Sequence, residues 1–301
     1  MKSVIKGTGY ILVHTPDMVL HNGTTQTTER IVNPDGDYLK ELPSHIRTFD
    51  QVLRYWPNQV YIGNKTPDDL AAVPQPWCDK ECDVAERYGH LGQMMPQEEF
   101  LLLMQACDVF DLVKLEQGFV DASRAALAAN PIIDDSIMAR IPAEQTAQEE
   151  IDKLVNEEHA EGLYHMGKLV GCVKRAHDID VNLSAHVIHE DIVSKASSVL
   201  ALLTAVKNSG LEKDEIEYVI DCCEEACGDM NQRGGGNFAK AAAEIAGLSA
   251  ATGSDTRGFC AGPAHAMVEA AALVASGAYK NVIVTAGGCT AKLGMNGKDH
   301  V

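Results

Sequence analysis

One cysteine stands where a thiol can do chemistry. Cys260 lies in "SDTRGFCAGPAHAMVEAAALVASG", between a short extended stretch and the first turn of an apolar helix. A free thiol titrates near ~8.5, and only its thiolate attacks well. A helix N-terminus offers unpaired backbone N–H groups and a partial positive charge, and both favour the thiolate. Gly258 and Gly262 allow a tight turn around the cysteine, and Pro263 suits a first helical turn. A comparable strand–nucleophile–helix elbow lifts the reactive atom above the sheet in other α/β enzymes. Residue type and flanks leave two readings open: a nucleophile, or a small buried filler.

Other reactive side chains carry weaker patterns. Cys78, Cys82 and His90 lack the second ligand pair of a zinc site, so a loop is expected and no metal. Cys222, Cys223 and Cys227 follow a strand end, where α/β ligands collect, yet read as structural thiols. Cys289 follows "AGG" and is placed to approach Cys260 from a neighbouring strand end. His186 and His189 read as a surface pair. His265, five residues past Cys260, should point away from the thiol on a helix and is not taken as a base. Glu269, inside the apolar helix, needs a partner or stays protonated, and reads as a packing or interface residue. "RGGGNF" (Arg233 to Phe238) could offer N–H groups to a phosphate, but lacks the Lys-Ser/Thr of a P-loop. Gly287 and Gly288 would let a substrate or a backbone come close. No cofactor is expected.

The elements that must position these residues follow from periodicity. "EDIVSKASSVLALLTAVKNSG" predicts a helix closed by Gly210, and "IEYVID" a short apolar strand. "NFAKAAAEIAG" predicts a helix ending at Gly247, followed by a short extended segment in "SAATGSDTRG". The helix after Cys260 is apolar nearly all round, so burial on most faces is expected. "NVIVTAGG" reads as a strand covered on both sides of a parallel sheet. Close helix–strand alternation implies a layered α/β core. Earlier in the chain, "SVIKGTGYILVH" reads as a strand with a glycine bend. Helices are expected over 96–113, 120–129 and 143–174.

Composition excludes some functions. The 301 residues carry 25 Lys+Arg against 43 Asp+Glu, a net charge of -18 that argues against nucleic acid and anionic membranes. No apolar run is expected to reach the ~18 residues that span a bilayer, and Lys6 and Gly7 interrupt any leader peptide. Nine cysteines, an odd number without a repeating framework, point to a reducing, cytoplasmic compartment.

The stretch "GGGNFAKAAAEIAGLSAATGSDTRGFCAGPAHAMVEAAALVASGAYKNVIVTAGG" resembles the first half of the thiolase superfamily, β-ketoacyl-carrier-protein synthase III included. The likeness is clear over 188–288 and thin over the first 29 residues. It implies a thiolase-like α/β/α N-terminal half formed by 1–29 and 182–301, with 30–181 as an acidic, mainly helical insertion. It also implies that Cys260 accepts an acyl group, that Gly258, Gly262, Gly287 and Gly288 approach the substrate, and that the core dimerises with "RGGGNF" near the interface. The family's polarising histidine, with an asparagine or a second histidine, comes from a second half that has no match here.

Over its whole length the chain resembles the family of β subunits of component C in glycine/sarcosine/betaine reductase complexes. That resemblance implies a carboxymethyl group carried on selenoprotein A, an acetyl thioester, and release of acetyl phosphate by phosphate. It implies the component C α subunit as a partner that holds part of the chemistry. Two other functions compete. An ordinary condensing ketosynthase is disfavoured by the acidity, since carrier proteins and coenzyme A are anionic. A non-catalytic thiolase-like scaffold is kept open by the unmatched second half.

Overall fold

Residues Tyr10–His14 form β1 and lie parallel to β2 (Gly92–Pro96), with Tyr10 opposite Gly92 and His14 opposite Pro96. A side chain at residue 92 would collide with the Tyr10 carbonyl, so glycine is required there. The computed structural model describes residues 2–223 and 237–289. Short helices bridge the two strands: α1 (Pro16–Asn22), α2 (Thr24–Val32), α3 (Asp37–His45), α4 (Phe49–Leu53), α5 (Trp56–Tyr61) and α6 (Pro67–Ala71). Thr48 and Thr66 start α4 and α6 with reciprocal capping boxes.

Next come α7 (Gln97–Cys107), β3 (Val113–Leu115), α8 (Gln117–Ala128), α9 (Asp135–Met138) and α10 (Gln148–Glu157). Every residue of α7 except Glu98 is buried, so this helix is core rather than surface. The expected helix over 96–113 stops at Cys107. Asp108 there accepts the N–H groups of Phe110, Leu112 and Val113 and turns the chain into β3. The expected helix over 143–174 is corrected too. Only Gln148–Glu157 is helical, and the remainder forms a hairpin of β4 (Glu161–His165) and β5 (Lys168–Val173). His159 leaves the helix at φ 58°, and Met166 (50°) and Gly167 (74°) make the left-handed corner of the hairpin. The antiparallel sheet runs in the order β3-β5-β4.

Buried Asp17 fastens that corner. Its carboxylate accepts the N–H groups of Met166 at 3.0 Å and Gly167 at 2.9 Å, and the Gln97 amide at 3.1 Å. The Asp17 N–H in turn donates to the side-chain carbonyl oxygen of Gln97 at 3.1 Å. One carboxylate thus joins α1, α7 and the hairpin.

The C-terminal part holds α11 (Ala185–Ser209), β6 (Tyr218–Asp221), α12 (Phe238–Ile245), β7 (Thr252–Asp255), α13 (Gly262–Ser276) and β8 (Val282–Thr285). Gly210, Gly247 and Gly277 follow α11, α12 and α13 with left-handed φ of 68°, 79° and 78°, as helix stops. The three strands are parallel in the order β7-β6-β8. Val219 and Ile283 face the core of α11 and α12, while Tyr218, Ile220, Val282 and Val284 face Ala266, Ala270 and Leu273 of α13. The region is a three-layer α/β/α unit and the fold is mixed α/β. One hydrophobic cluster runs from Met18 through α7 and α11 to Cys289, so the acidic middle segment shares its core with the C-terminal layers.

Burial of α13 on most faces is not observed. Only Gly262 and Ala266 are buried, and Val268 is 71% exposed. One stripe rests on β6 and β8, Ser3 donates to the Ala271 carbonyl at 2.9 Å, and much of the remaining surface is exposed. The stretch Phe259–Ser276 also reaches 18 residues and is apolar enough to cross a membrane by length and composition, against the expectation from sequence. β8 has the expected cover on both faces but is half-buried, because it is the sheet edge.

Asp17→Ala leaves the Met166 and Gly167 N–H groups and the Gln97 amide without their acceptor. It should cost about 1–3 kcal/mol, read as a lower urea midpoint, with faster amide exchange at Met166 and Gly167.

Candidate functional site

Strand order decides where a site forms. The chain steps from β6 to β7 in one direction and from β7 across to β8 in the other. Right-handed crossovers then put α12 and α13 on opposite faces, so the loops leaving β6 and β7 diverge at their carboxyl ends. Asp221 ends β6 and Asp255 ends β7 at that crevice. The segment from Thr256 to Ala261 follows, and Cys260 sits in a single 3-10 turn (Phe259–Ala261) directly before α13.

Several bonds hold this segment. The Thr256 N–H donates to the Asp221 carbonyl at 2.8 Å, extending the β6–β7 ladder by one rung. Glu269 accepts the hydroxyls of Thr256 at 2.6 Å and Ser254 at 3.2 Å, which supplies the partner a carboxylate on α13 needs. Arg257 Nη1 donates to Asp221 Oδ2 at 2.7 Å, and the Ala261 N–H closes the turn onto the Gly258 carbonyl at 3.0 Å. Phe259 holds φ 48°, a left-handed conformation that costs an ordinary residue about 1–2 kcal/mol. Its ring is 83% exposed. Such outliers collect where the surrounding structure fixes a functional geometry.

Asp221 is fully buried and gathers donors from three directions: Arg257, the Cys223 N–H at 3.2 Å and thiol at 2.9 Å, and the Ser198 hydroxyl at 3.4 Å. Burial pushes its carboxyl above the usual range, against the lowering effect of the Cys223 and Arg257 bonds. Asp255 accepts the N–H groups of Phe238 at 3.0 Å and Ala239 at 2.9 Å, so it anchors the start of α12.

The expected site residues fall into two groups. Gly258, Cys260 and Gly262 share the turn, and the Cys260 side of it is exposed. A side chain at residue 262 would come within 3.3 Å of the Cys222 carbonyl. Gly287 lies directly on the α11 backbone at Ser194, and the Gly288 N–H donates to the Ser197 hydroxyl at 3.1 Å. Both glycines line a cavity of about 1050 Å³ with Ile11, Val193, Met267 and Val284, whose lining does not include Gly258, Cys260 or Gly262.

His265 departs from expectation. Its Nδ1 lies 2.9 Å from where a Gly258 side chain would begin, so the ring reaches the first residue of the turn. His189 is corrected as well. It is fully buried, because α11 is a core helix, while His186 lies near Glu161 at 3.9 Å. Cys222 and Cys223 are buried thiols bonded to Thr285 and Asp221, and Cys289 is buried. Cys227 and Arg233 to Gly236 lie outside the described residues. Cys78 is exposed and Cys82 buried, and among the described residues no three His, Cys, Asp or Glu side chains are gathered to hold a metal. Sequence reasoning missed Asp221, Asp255 and Arg257. Their signal is an aspartate as the last residue of β6 and of β7, with an arginine two residues after the second.

No family model matches the chain. It is 59% identical over 300 residues to the glycine/sarcosine/betaine reductase complex component C subunit beta of Peptoclostridium acidaminophilum. The match covers 99% of this chain and 58% of that protein, so the chain spans somewhat over half the relative's length. The crystal structure of the priming β-ketosynthase from the R1128 polyketide biosynthetic pathway aligns over 30% of this chain and 25% of its own, at 29% identity and a TM-score of 0.27.

Burial pushes the Cys222 thiol up to about 11, and Cys107 and Cys172 up to about 12, so all three stay protonated at pH 8. Iodoacetamide at that pH should label Cys78 and Cys260 in the native chain, and the three buried thiols only after urea is added. Peptide mass mapping reads the pattern, and native labelling of Cys222 as fast as Cys78 would contradict this packing.

Proposed function

Since the chain belongs, over the 300 residues compared, to the family of component C β subunits of glycine/sarcosine/betaine reductase complexes, we propose that it carries the acyl-accepting thiol of that component, Cys260. The observation that supports this reading most is the placement of Cys260. It is exposed, in a tight turn at the start of a 15-residue helix, after a residue held at positive φ.

In this reading the Cys260 thiolate is the attacking species, and Cys260 stands directly before the first turn of α13. The acyl group originates as the carboxymethyl group on selenoprotein A: a thiol outside this chain takes the selenium as a selenenyl sulfide and so supplies the two electrons, the Se–C bond breaks, water leaves the carboxyl carbon, and the acetyl group joins the Cys260 sulfur as a thioester. Phosphate then attacks the thioester carbonyl, the C–S bond breaks, acetyl phosphate leaves and the thiolate returns. Ser254, Thr256 and Arg257 hold the loop during these steps through Glu269 and Asp221. The component C α subunit and selenoprotein A are the proposed partners, with self-association through the thiolase-like core. The eight described cysteines are free thiols, in keeping with a reducing cytoplasm.

A second reading, a non-catalytic scaffold, draws on the exposed apolar face of α13, which suits presentation of a partner's site. The two separate cleanly. With the α subunit, carboxymethylated selenoprotein A and phosphate present, Cys260→Ser should lower acetyl phosphate formation by roughly 10³-fold or more. Quenching the wild-type reaction before phosphate is added should leave an acetyl adduct on the Cys260 peptide. Full activity of Cys260→Ser would leave only the scaffold.

A further inference from the structure

We propose that Asp221 and Arg257 form a positioning pair for Cys260: the buried carboxylate grips the guanidinium and thereby sets where the turn presents the sulfur. The inference rests on the reading of Cys260 as the nucleophile and goes beyond it by naming what fixes that thiol.

Beyond Arg257 the chain leaves the sheet, and the next residues offer no side-chain anchor to it. Gly258 has no side chain, Phe259 points its ring into solvent, and Ala261 has no polar group. Arg257 is therefore the last side chain before Cys260 that is tied to the sheet. On the far side, Gly262 packs at the Cys222 carbonyl. The turn is clamped at its two ends, and the N-terminal clamp is an ion pair.

That clamp is stiff for physical reasons. Asp221 ends β6, the middle strand, so its backbone is held by neighbours on both sides. Its carboxylate is fully buried and has further donors in the Cys223 N–H and thiol and the Ser198 hydroxyl, which hold its orientation. Arg257 is partly exposed, and its second terminal nitrogen lies 3.8 Å from Asp255. A cation between two strand-end carboxylates is drawn to both and so has a defined place. A buried pair is poor evidence for net stability, since desolvation offsets the attraction, but it can specify geometry.

The test uses Cys78, an exposed thiol of the same molecule, as reference. Iodoacetamide labelling of Cys260 and Cys78 is followed by peptide mass against pH in wild type, Arg257→Lys, Arg257→Gln, Asp221→Asn and the double variant Asp221→Asn/Arg257→Gln. Thermal unfolding and circular dichroism establish which variants are folded. In wild type, Cys260 should outpace Cys78. Arg257→Gln and Asp221→Asn should each reduce the Cys260-to-Cys78 rate ratio about tenfold. Arg257→Lys should keep the ratio within about threefold of wild type, and the double variant should lose no more than either single.

A folded Arg257→Gln or Asp221→Asn chain with the wild-type ratio overturns the positioning role while leaving Cys260 as nucleophile. A wild-type ratio near one removes the nucleophile reading itself, and this proposal with it. Should Arg257→Gln fail to fold, Asp221→Asn, close to isosteric, decides by the same comparison.

Discussion

The central strand β6 is paired on both edges by parallel strands, and much of the C-terminal geometry follows from that one constraint. Two parallel neighbours require two crossovers. Because each is right-handed, one helix must lie on each face. Tyr218 and Ile220 therefore face α13, while Val219 faces α11 and α12. The loops part at the carboxyl ends of β6 and β7, and any chain leaving β7 must pass over the end of β6. Thr256, Arg257 and Cys260 are carried there by topology before any side-chain preference acts.

Charge is distributed in keeping with that frame. A chain with net charge -18 places a fully buried carboxylate, Asp221, at its middle strand, and surrounds it with one guanidinium, one thiol and one hydroxyl. Glu269 is treated similarly, with two hydroxyls midway along α13. Both carboxylates bind the loop between β7 and α13 from below and beside it. Desolvation of an acid is tolerable when its lone pairs are occupied, and here the occupying donors belong to the loop that must be held.

The C-terminal elements were legible in the sequence because their signals are local. Gly210 and Gly247 stop helices by a conformational need, and the apolar runs at 218–221 and 282–285 are too short and too β-branched for helices. The hairpin over 161–173 was hidden, because "EGLYHMGKLVGCV" follows an amphipathic helix and its corner depends on Asp17, nearly 150 residues away. The exposure of α13 was also illegible: an all-round apolar helix signals a wish for cover, not whether described residues supply it. The turn at Cys260 could be read from Gly258 and Gly262. Its anchor could not, since Asp221 looked like an ordinary strand-ending acid until its pairing was seen.

The long helix α11 has a consequence of a different kind. It extends about 37 Å over its 25 residues, and Gly7, Gly9 and Gly287 lie against its backbone near Ser209, Ala205 and Ser194. Contacts that close admit no added carbon on either side. Over evolutionary time the seam should resist drift, with Ser194, Ser197, Ser198, Ala201 and Ala205 confined to small residues. The acidic outer face of α10 bears no such restriction, so lineages can diverge there freely while their seams stay alike. The history of this chain is thus divided by atomic clearance: one helix records ancestry in its changes, the other by its lack of them.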